Sequence, residues 1–210
     1  MDETKTIIQD FKTKEISNLK KFRAISIGFV MLVNFAIVGF FVYGFYDVYR
    51  SRNLTENFIT YAFPTVASIQ LVLAIGFGPL IFIIFKRFSS VLNEIEDLND
   101  EFTIHYQRYT NFIYKFFSVV PLYLISQKGL FIFRNFKTEL LPSNAIKYVK
   151  IKNVNMGRFR RSFIDIYQND SSKSRITYYK TYPREVEFFH DNIHLINDNV
   201  LVENLFNQKK

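Results

Sequence analysis

Two uninterrupted apolar stretches break the alternation of polar and apolar positions along the chain. The first runs from about Ala24 to Tyr46 and reads AISIGFVMLVNFAIVGFFVYGFY. The second runs from about Pro64 to Phe85 and reads PTVASIQLVLAIGFGPLIFIIF. Neither contains an acidic or basic residue. A helix of that length rises about 34 Å, enough to cross a hydrocarbon core of roughly 30 Å. A soluble core helix would carry a polar face at a 3.6 period, and neither stretch has one. The pattern predicts a two-helix transmembrane hairpin over residues 23–87.

The edges and interiors of the two stretches refine this expectation. Tyr43, Tyr46, Tyr49 and Tyr61 stand where amphipathic rings favour the membrane interface. Pro64 is expected in the first helical turn, where its missing N–H costs nothing. Gly76, Gly78 and Pro79 predict a kink. Ala74 and Gly78, four residues apart, offer a small surface for close helix approach. Asn34 and Gln70 fall at similar depths and are expected to hydrogen-bond across the hairpin, contributing about 0.6 kcal/mol. With no ionisable residue in either span, these polar groups read as packing contacts rather than a pore lining.

The flanks have different periodicities. Residues 1–22 place Ile7, Ile8, Phe11, Ile16, Leu19 and Phe22 among charges. This predicts a cytoplasmic amphipathic helix, lying on the membrane face or packing on a soluble domain. Residues 88–114 predict a helical connector, with Val91, Ile95, Leu98, Phe102 and His105 at helical spacing. Glu94, Glu96, Asp97, Asp100 and Glu101 read as a solvated acidic face rather than a catalytic or metal-binding group.

From Lys115 the texture turns to short β-rich runs bounded by turn residues. Strands are expected near Val119–Ser126, Leu130–Phe136, Ile146–Asn153, Phe159–Gln168 and Arg175–Thr181. Gln127-Lys128-Gly129 predicts a tight hairpin turn. Pro142-Ser143-Asn144 and Asn169-Asp170-Ser171-Ser172 predict longer connections. Pro183 opens a predicted helix whose stripe is Val186, Phe189, Ile193 and Ile196. The fold class is therefore an α+β membrane protein. A two-helix transmembrane hairpin precedes a small antiparallel β-barrel or sandwich, residues 115–210, capped by a C-terminal helix.

Charge sharpens the picture. From Lys115 onward 16 Lys and Arg face 8 Asp and Glu, a net of +8, which equals the net charge of the whole chain. Lys147, Lys150, Lys152, Arg158, Arg160 and Arg161 fall within 15 residues. They form the candidate surface for an anionic lipid, a partner protein or another anionic ligand. Basic residues also crowd the outer flanks of the two spans, whereas the loop between them has only Arg50 and Arg52. The positive-inside rule then places both termini in the cytoplasm and predicts a multi-pass inner (plasma) membrane protein. Asn53-Leu-Thr55 matches a glycosylation sequon in that loop.

Candidate chemistry is sparse. There is no cysteine, which removes disulfides, thiolate metal sites and Cys nucleophiles. His190 and His194 are spaced i, i+4, but Asp191 stands where a zinc hydrolase needs Glu, so no metal is expected. Tyr178, Tyr179 and Phe159 lie among basic residues, yet no nucleic-acid motif accompanies them. No glycine-rich phosphate loop or serine elbow occurs. The expectation is a non-enzymatic protein without a cofactor.

The stretch from Tyr123 to Ile196 resembles bacterial pleckstrin-homology-like (PH-like) domains in the succession YLISQKGLFIF, LLPSNAIKYVKIKN, GRFRRSFIDIY and YPREVEFFHDNI. Many such domains follow a pair of membrane helices. The resemblance implies a small barrel closed by a Pro-led helix and a lipid-surface or protein-interaction role. It supplies no catalytic residues. The lack of Trp and the long helical connector depart from the commoner members. Two spans with a basic β domain also resemble the membrane effectors of cyclic-nucleotide antiphage defence. That likeness implies a nucleotide-binding barrel and spans that self-associate to disrupt the membrane. A third expectation is an accessory subunit that docks a larger complex through Ala74 and Gly78.

Overall fold

The computed structural model describes residues 3–52, 57–113, 120–134, 137–156, 159–178 and 183–205. Helix α1, Glu3–Ser51, is a single helix of 49 residues, about 73 Å long at 1.5 Å per residue. The expected amphipathic segment is therefore not a separate element. Nothing between Glu3 and Ile27 breaks a helix, so the chain passes from charged to apolar texture without a change of backbone.

Helix α2, Phe58–Glu96, likewise continues well past the apolar stretch on both sides. Its start differs from the expectation at Pro64. Asn57 is the N-cap, and its Oδ1 accepts from the Ile59 N–H at 3.0 Å. Pro64 and Pro79 both lie inside a continuous helix. The expected loop Asp47–Phe63 thereby shrinks to the few residues between Ser51 and Phe58. The sequon falls in positions 53–56, outside the described residues.

Helices α1 and α2 are long and apolar enough to cross a membrane. In the most apolar part of α2 no residue is buried by the rest of the chain. Phe35 and Phe40 on α1 are 67% and 74% exposed. Such surfaces are costly in water and inexpensive in lipid. The two helices run antiparallel along their whole length. Gln70 Nε2 donates to Asn34 Oδ1 at 3.4 Å, as the sequence led one to expect. Lower down, Arg23 donates to Ser89 Oγ at 3.0 Å, and Lys12 donates to the Leu98 carbonyl at 3.0 Å.

After a short turn at Asp97–Asn99 the chain reverses into α3, Asp100–Ile113. Asn99 caps it, its Oδ1 accepting from the Phe102 N–H at 3.0 Å. The predicted connector is thus the lower end of α2 plus α3, and Val91, Ile95, Leu98 and His105 are buried as expected. The start of α1 completes a three-helix base. Phe11 meets the Tyr106 ring at 6.4 Å, and Leu19 joins the main core.

Among the described residues seven strands follow in two sheets. The first sheet is antiparallel in the order β1 (Tyr123–Ser126), β2 (Gly129–Phe133), β3 (Thr138–Leu141). The Gln127-Lys128 turn joins β1 to β2 as expected. Gly129, the first residue of β2, has φ +126°, and a Cβ there would run into the Leu141 carbonyl oxygen. Only glycine is comfortable in that conformation. Every residue of β1 and β2 is buried, so the hairpin is covered on both faces.

The second sheet has the order β6-β5-β4-β7. Its strands are β4 (Ile146–Met156), β5 (Phe159–Gln168), β6 (Lys173–Tyr178) and β7 (Leu201–Asn204). Strands β4 to β6 pair antiparallel, and β7 pairs parallel to β4. Two strands, β3 and β7, were not foreseen. Helix α4, Pro183–Asn192, starts at the predicted proline but is not the last element, because β7 follows it. Between them Ile193–Leu195 tightens to a 3-10 turn. His190 and His194 therefore do not share one α-helical face, and His190 instead contacts Asp191 at 3.0 Å.

One core fills the space between the sheets and α4. Val149, Ile151, Ile164, Ile166, Phe189 and Ile193 are fully buried within it. Tyr123 ties three elements together. Its ring meets Phe189 of α4 at 5.0 Å and Tyr109 of α3 at 5.5 Å.

Candidate functional site

Strand periodicity sorts the residues of the second sheet. Val149 and Ile151 on β4, opposite Ile166 and Ile164 on β5, face the core. Tyr148, Lys150 and Lys152 therefore point to the outer face, with Arg161, Phe163, Asp165 and Tyr167 of β5. Strand β6 adds Lys173 and Arg175, opposite Tyr167 and Asp165. Strand β7 adds Glu203, opposite Lys150.

Asp165 is the hub of this face and is itself fully buried. Lys152 Nζ and Lys173 Nζ each lie 2.9 Å from its Oδ2. Arg175 grips it in a fork, Nε at 2.5 Å from Oδ1 and NH2 at 3.2 Å from Oδ2. Burial opposes ionisation of this carboxyl, but Arg175, Lys152 and Lys173 outweigh it and hold the pKa down at about 2. Glu203 is the second carboxylate. It accepts from the Tyr148 hydroxyl and pairs with Lys150 at 3.0 Å. The Tyr148 hydroxyl bond keeps the Glu203 carboxyl ionised to lower pH and pushes the Tyr148 phenol up to about 12.

Four cations thus pair with two carboxylates, and two of the four lie over aromatic rings. Arg175 sits 4.7 Å above the Phe163 ring, and Lys173 sits 5.1 Å from Tyr167, which in turn packs on Tyr148 at 5.4 Å. The cation–π contacts hold these side chains flat against the sheet, which lowers the ordering cost of binding an anion. The result is a preorganised, open, cationic surface.

The sequence-predicted patch is only partly this surface. Lys150 and Lys152 belong to it, and Arg161 stands on the same face opposite Val154. Lys147 lies at the register shift between Ile146 and Tyr148 and is exposed there. Arg158 lies outside the described residues, as does the side chain of Arg160. Lys173, Arg175 and Asp165 were missed. Their signal was the period-two pattern of Lys173-Ser-Arg175 on a strand beside β5, not local charge density. Tyr178, considered a stacking ring, is buried beside Tyr109 and Tyr123; Tyr179 and the Phe159 side chain are outside the described residues.

The sheet has a defined polarity relative to the spans. Phe22, at the foot of the first apolar stretch, lines one cleft with Thr110 and Asn111 in the last turn of α3. Phe112 of that turn lies 6.0 Å from the Arg184 guanidinium at the start of α4. Tyr178, ending β6, is level with Ser162, and Val154 is level with Arg161. The end of the sheet carrying Arg161 and Lys152, and leading into the β4–β5 turn, is therefore the end nearest the spans. Lys173 lies at the far end.

The remaining predicted residues are on the helices. Asn34 is buried and bonded to Gln70. Ala74 and Gly78 are exposed, and nothing approaches within 4 Å of a Cβ built at Gly78, so the hairpin itself does not pack through them. The acidic connector is solvated as expected at Glu96, Asp97, Asp100 and Glu101, and only Glu94 is half-buried. Lys128 of the β1–β2 turn reaches Asp97 at 2.8 Å and Glu94 at 3.9 Å, clasping the first sheet to the foot of α2. Among the described residues no group of three His, Asp or Glu is gathered for a metal. No family model, no curated protein and no solved structure matches the chain.

Proposed function

We propose that this protein is a membrane-anchored, non-enzymatic binding module of the bacterial inner membrane. Its termini are cytoplasmic, and its PH-like β domain engages the anionic inner leaflet. The observation that carries the reading is the preorganised cationic face, whose Lys152–Arg161 end is directed toward the spans. Each basic residue that reaches an anionic surface contributes about 1 kcal/mol. Excess Lys and Arg outside both spans supports the orientation.

The filled core favours surface binding over a nucleotide held inside the barrel. Val149, Ile151, Ile164 and Ile166 are fully buried between the sheets. A cyclic-nucleotide effector would need a cation-lined interior instead.

The absence of Trp makes the test direct. Met156→Trp at the end of β4 places a single reporter beside the β4–β5 turn. In proteoliposomes containing brominated lipid, its fluorescence should be quenched more as the phosphatidylglycerol fraction rises. Lys152→Glu with Arg161→Glu should abolish that dependence. Quenching that ignores lipid charge overturns the leaflet reading and directs attention to an acidic protein partner.

A further inference from the structure

The start of α1 and the last turns of α3 enclose a cleft of about 460 Å³. Volumes of this order hold small ligands. Phe11, Lys14, Glu15, Asn18, Leu19 and Phe22 form its α1 wall at helical spacing. Gln107, Thr110 and Asn111 form its α3 wall. Its upper rim is Phe22, two residues before the first apolar stretch, and the ring is 45% exposed. The cleft thus begins at headgroup level.

Its electrostatics are asymmetric. Glu15 faces into it, and no Lys, Arg or His lies within 4.0 Å of its carboxylate among the described residues. The carboxylate accepts one hydrogen bond, from the Tyr106 hydroxyl at 3.3 Å. Burial pushes its pKa up despite that bond, the signature of a carboxylate short of a counter-charge. Phe11, its ring backed by the buried Tyr106 at 6.4 Å, provides an aromatic wall suited to a cation. Asn18, Gln107 and Asn111 add amide oxygens that accept from N–H donors. Lys14 is exposed at the same cleft and supplies the complementary positive group.

We infer that this cleft is a binding site for a phospholipid headgroup bearing a primary ammonium, with the ammonium on Glu15 and the phosphate on Lys14. The acyl chains then continue up past Phe22 beside the spans. The inference rests on the spans crossing a bilayer but not on the cationic sheet face, which is a separate surface. A primary ammonium is favoured over a quaternary one because the amide acceptors need N–H donors. An anionic glycerol headgroup would bring no cation to Glu15.

Native mass spectrometry of the full-length protein in mild detergent tests this. The protein is incubated with equal amounts of phosphatidylethanolamine, phosphatidylcholine and phosphatidylglycerol of matched chains. Phosphatidylethanolamine should be retained preferentially, and soluble phosphoethanolamine should displace it. Glu15→Gln keeps an acceptor for Tyr106 yet should weaken that retention about tenfold, the effect of losing one charge-assisted hydrogen bond. Asn111→Leu, remote from the Tyr106 contact, should also weaken it and serves if the first variant misfolds. Equal retention of the three lipids, or no effect of either folded variant, overturns the site. If phosphoethanolamine displaces nothing, the lipid is held by its chains and the headgroup assignment fails. Glu15→Gln should leave the Met156→Trp quenching unchanged, so failure of one proposal is visible apart from the other.

Discussion

Arg175 and Asp165 meet across β6 and β5 in a two-point fork, with the carboxylate fully buried and the guanidinium lying over Phe163. Lys152 and Lys173 close on the same carboxylate from either side. One acid therefore fixes three of the cations that face solvent.

Asp165→Asn should lower stability and raise affinity for anionic vesicles together. The folded carboxyl titrates at about 2, below its ordinary value near 3.8. Its contribution is thus complete above pH 4 and is lost as pH falls toward 2. Allowing for solvent screening of the half-exposed cations, the loss at neutral pH is about 1–2 kcal/mol. Urea denaturation of the full chain in micelles reads the first effect, and vesicle titration reads the second.

His105 should make the protein less stable in mild acid. Its ring is buried against Phe188 at 5.2 Å. Burial, chiefly, and the nearby Arg108 depress its pKa to about 4, with a bond to Asn192 opposing. The unfolded chain binds a proton near pH 6.5 that the folded chain refuses. Stability is therefore full above 6.5 and falls as pH drops toward 4, by up to about 3 kcal/mol. His105→Phe should flatten the curve in that window, as measured by denaturation midpoints between pH 4 and 7.

Gly129→Ala should be far more damaging than an ordinary surface change. The positive φ and the Leu141 carbonyl both oppose a side chain there. A loss of about 2–3 kcal/mol is expected, detectable as a lower urea midpoint. Lys128→Ala, next to it and exposed, removes the pairs to Asp97 and Glu94 and should cost less than about 1 kcal/mol.

Gln70→Leu should change hairpin stability little. The Asn34 contact is long, at 3.4 Å, and such bonds average about 0.6 kcal/mol in membranes. A shift much larger than this in micellar unfolding would mean that Asn34 and Gln70 serve more than helix packing.

The sequence made the helices and most of the strands legible because period and composition agree there. Val149, Ile151, Ile164 and Ile166 alternate cleanly, and Pro183 marks the start of α4. Strands β3 and β7 escaped because four residues carry too little pattern. Leu201–Asn204 becomes a strand only by lying parallel to β4, a choice made by tertiary packing. The cationic face was half legible. Local density drew attention to residues 147–161, whereas β-pairing brings Lys173 and Arg175 alongside Lys152 from more than twenty residues away. The cleft at Glu15 was invisible, since nothing in residues 1–22 reveals that α3 returns to lie beside them.

The unbroken run of α1 from its charged start into its apolar stretch has the form of a lever. Its lower end, about 30 Å of helix below the first apolar stretch, is packed into the three-helix base. A span tilt of about 20° would swing that end sideways by roughly 10 Å. In a bilayer, changes in thickness or in the company the spans keep would then move the β domain, because α1 is one unbroken helix from Glu3 to Ser51.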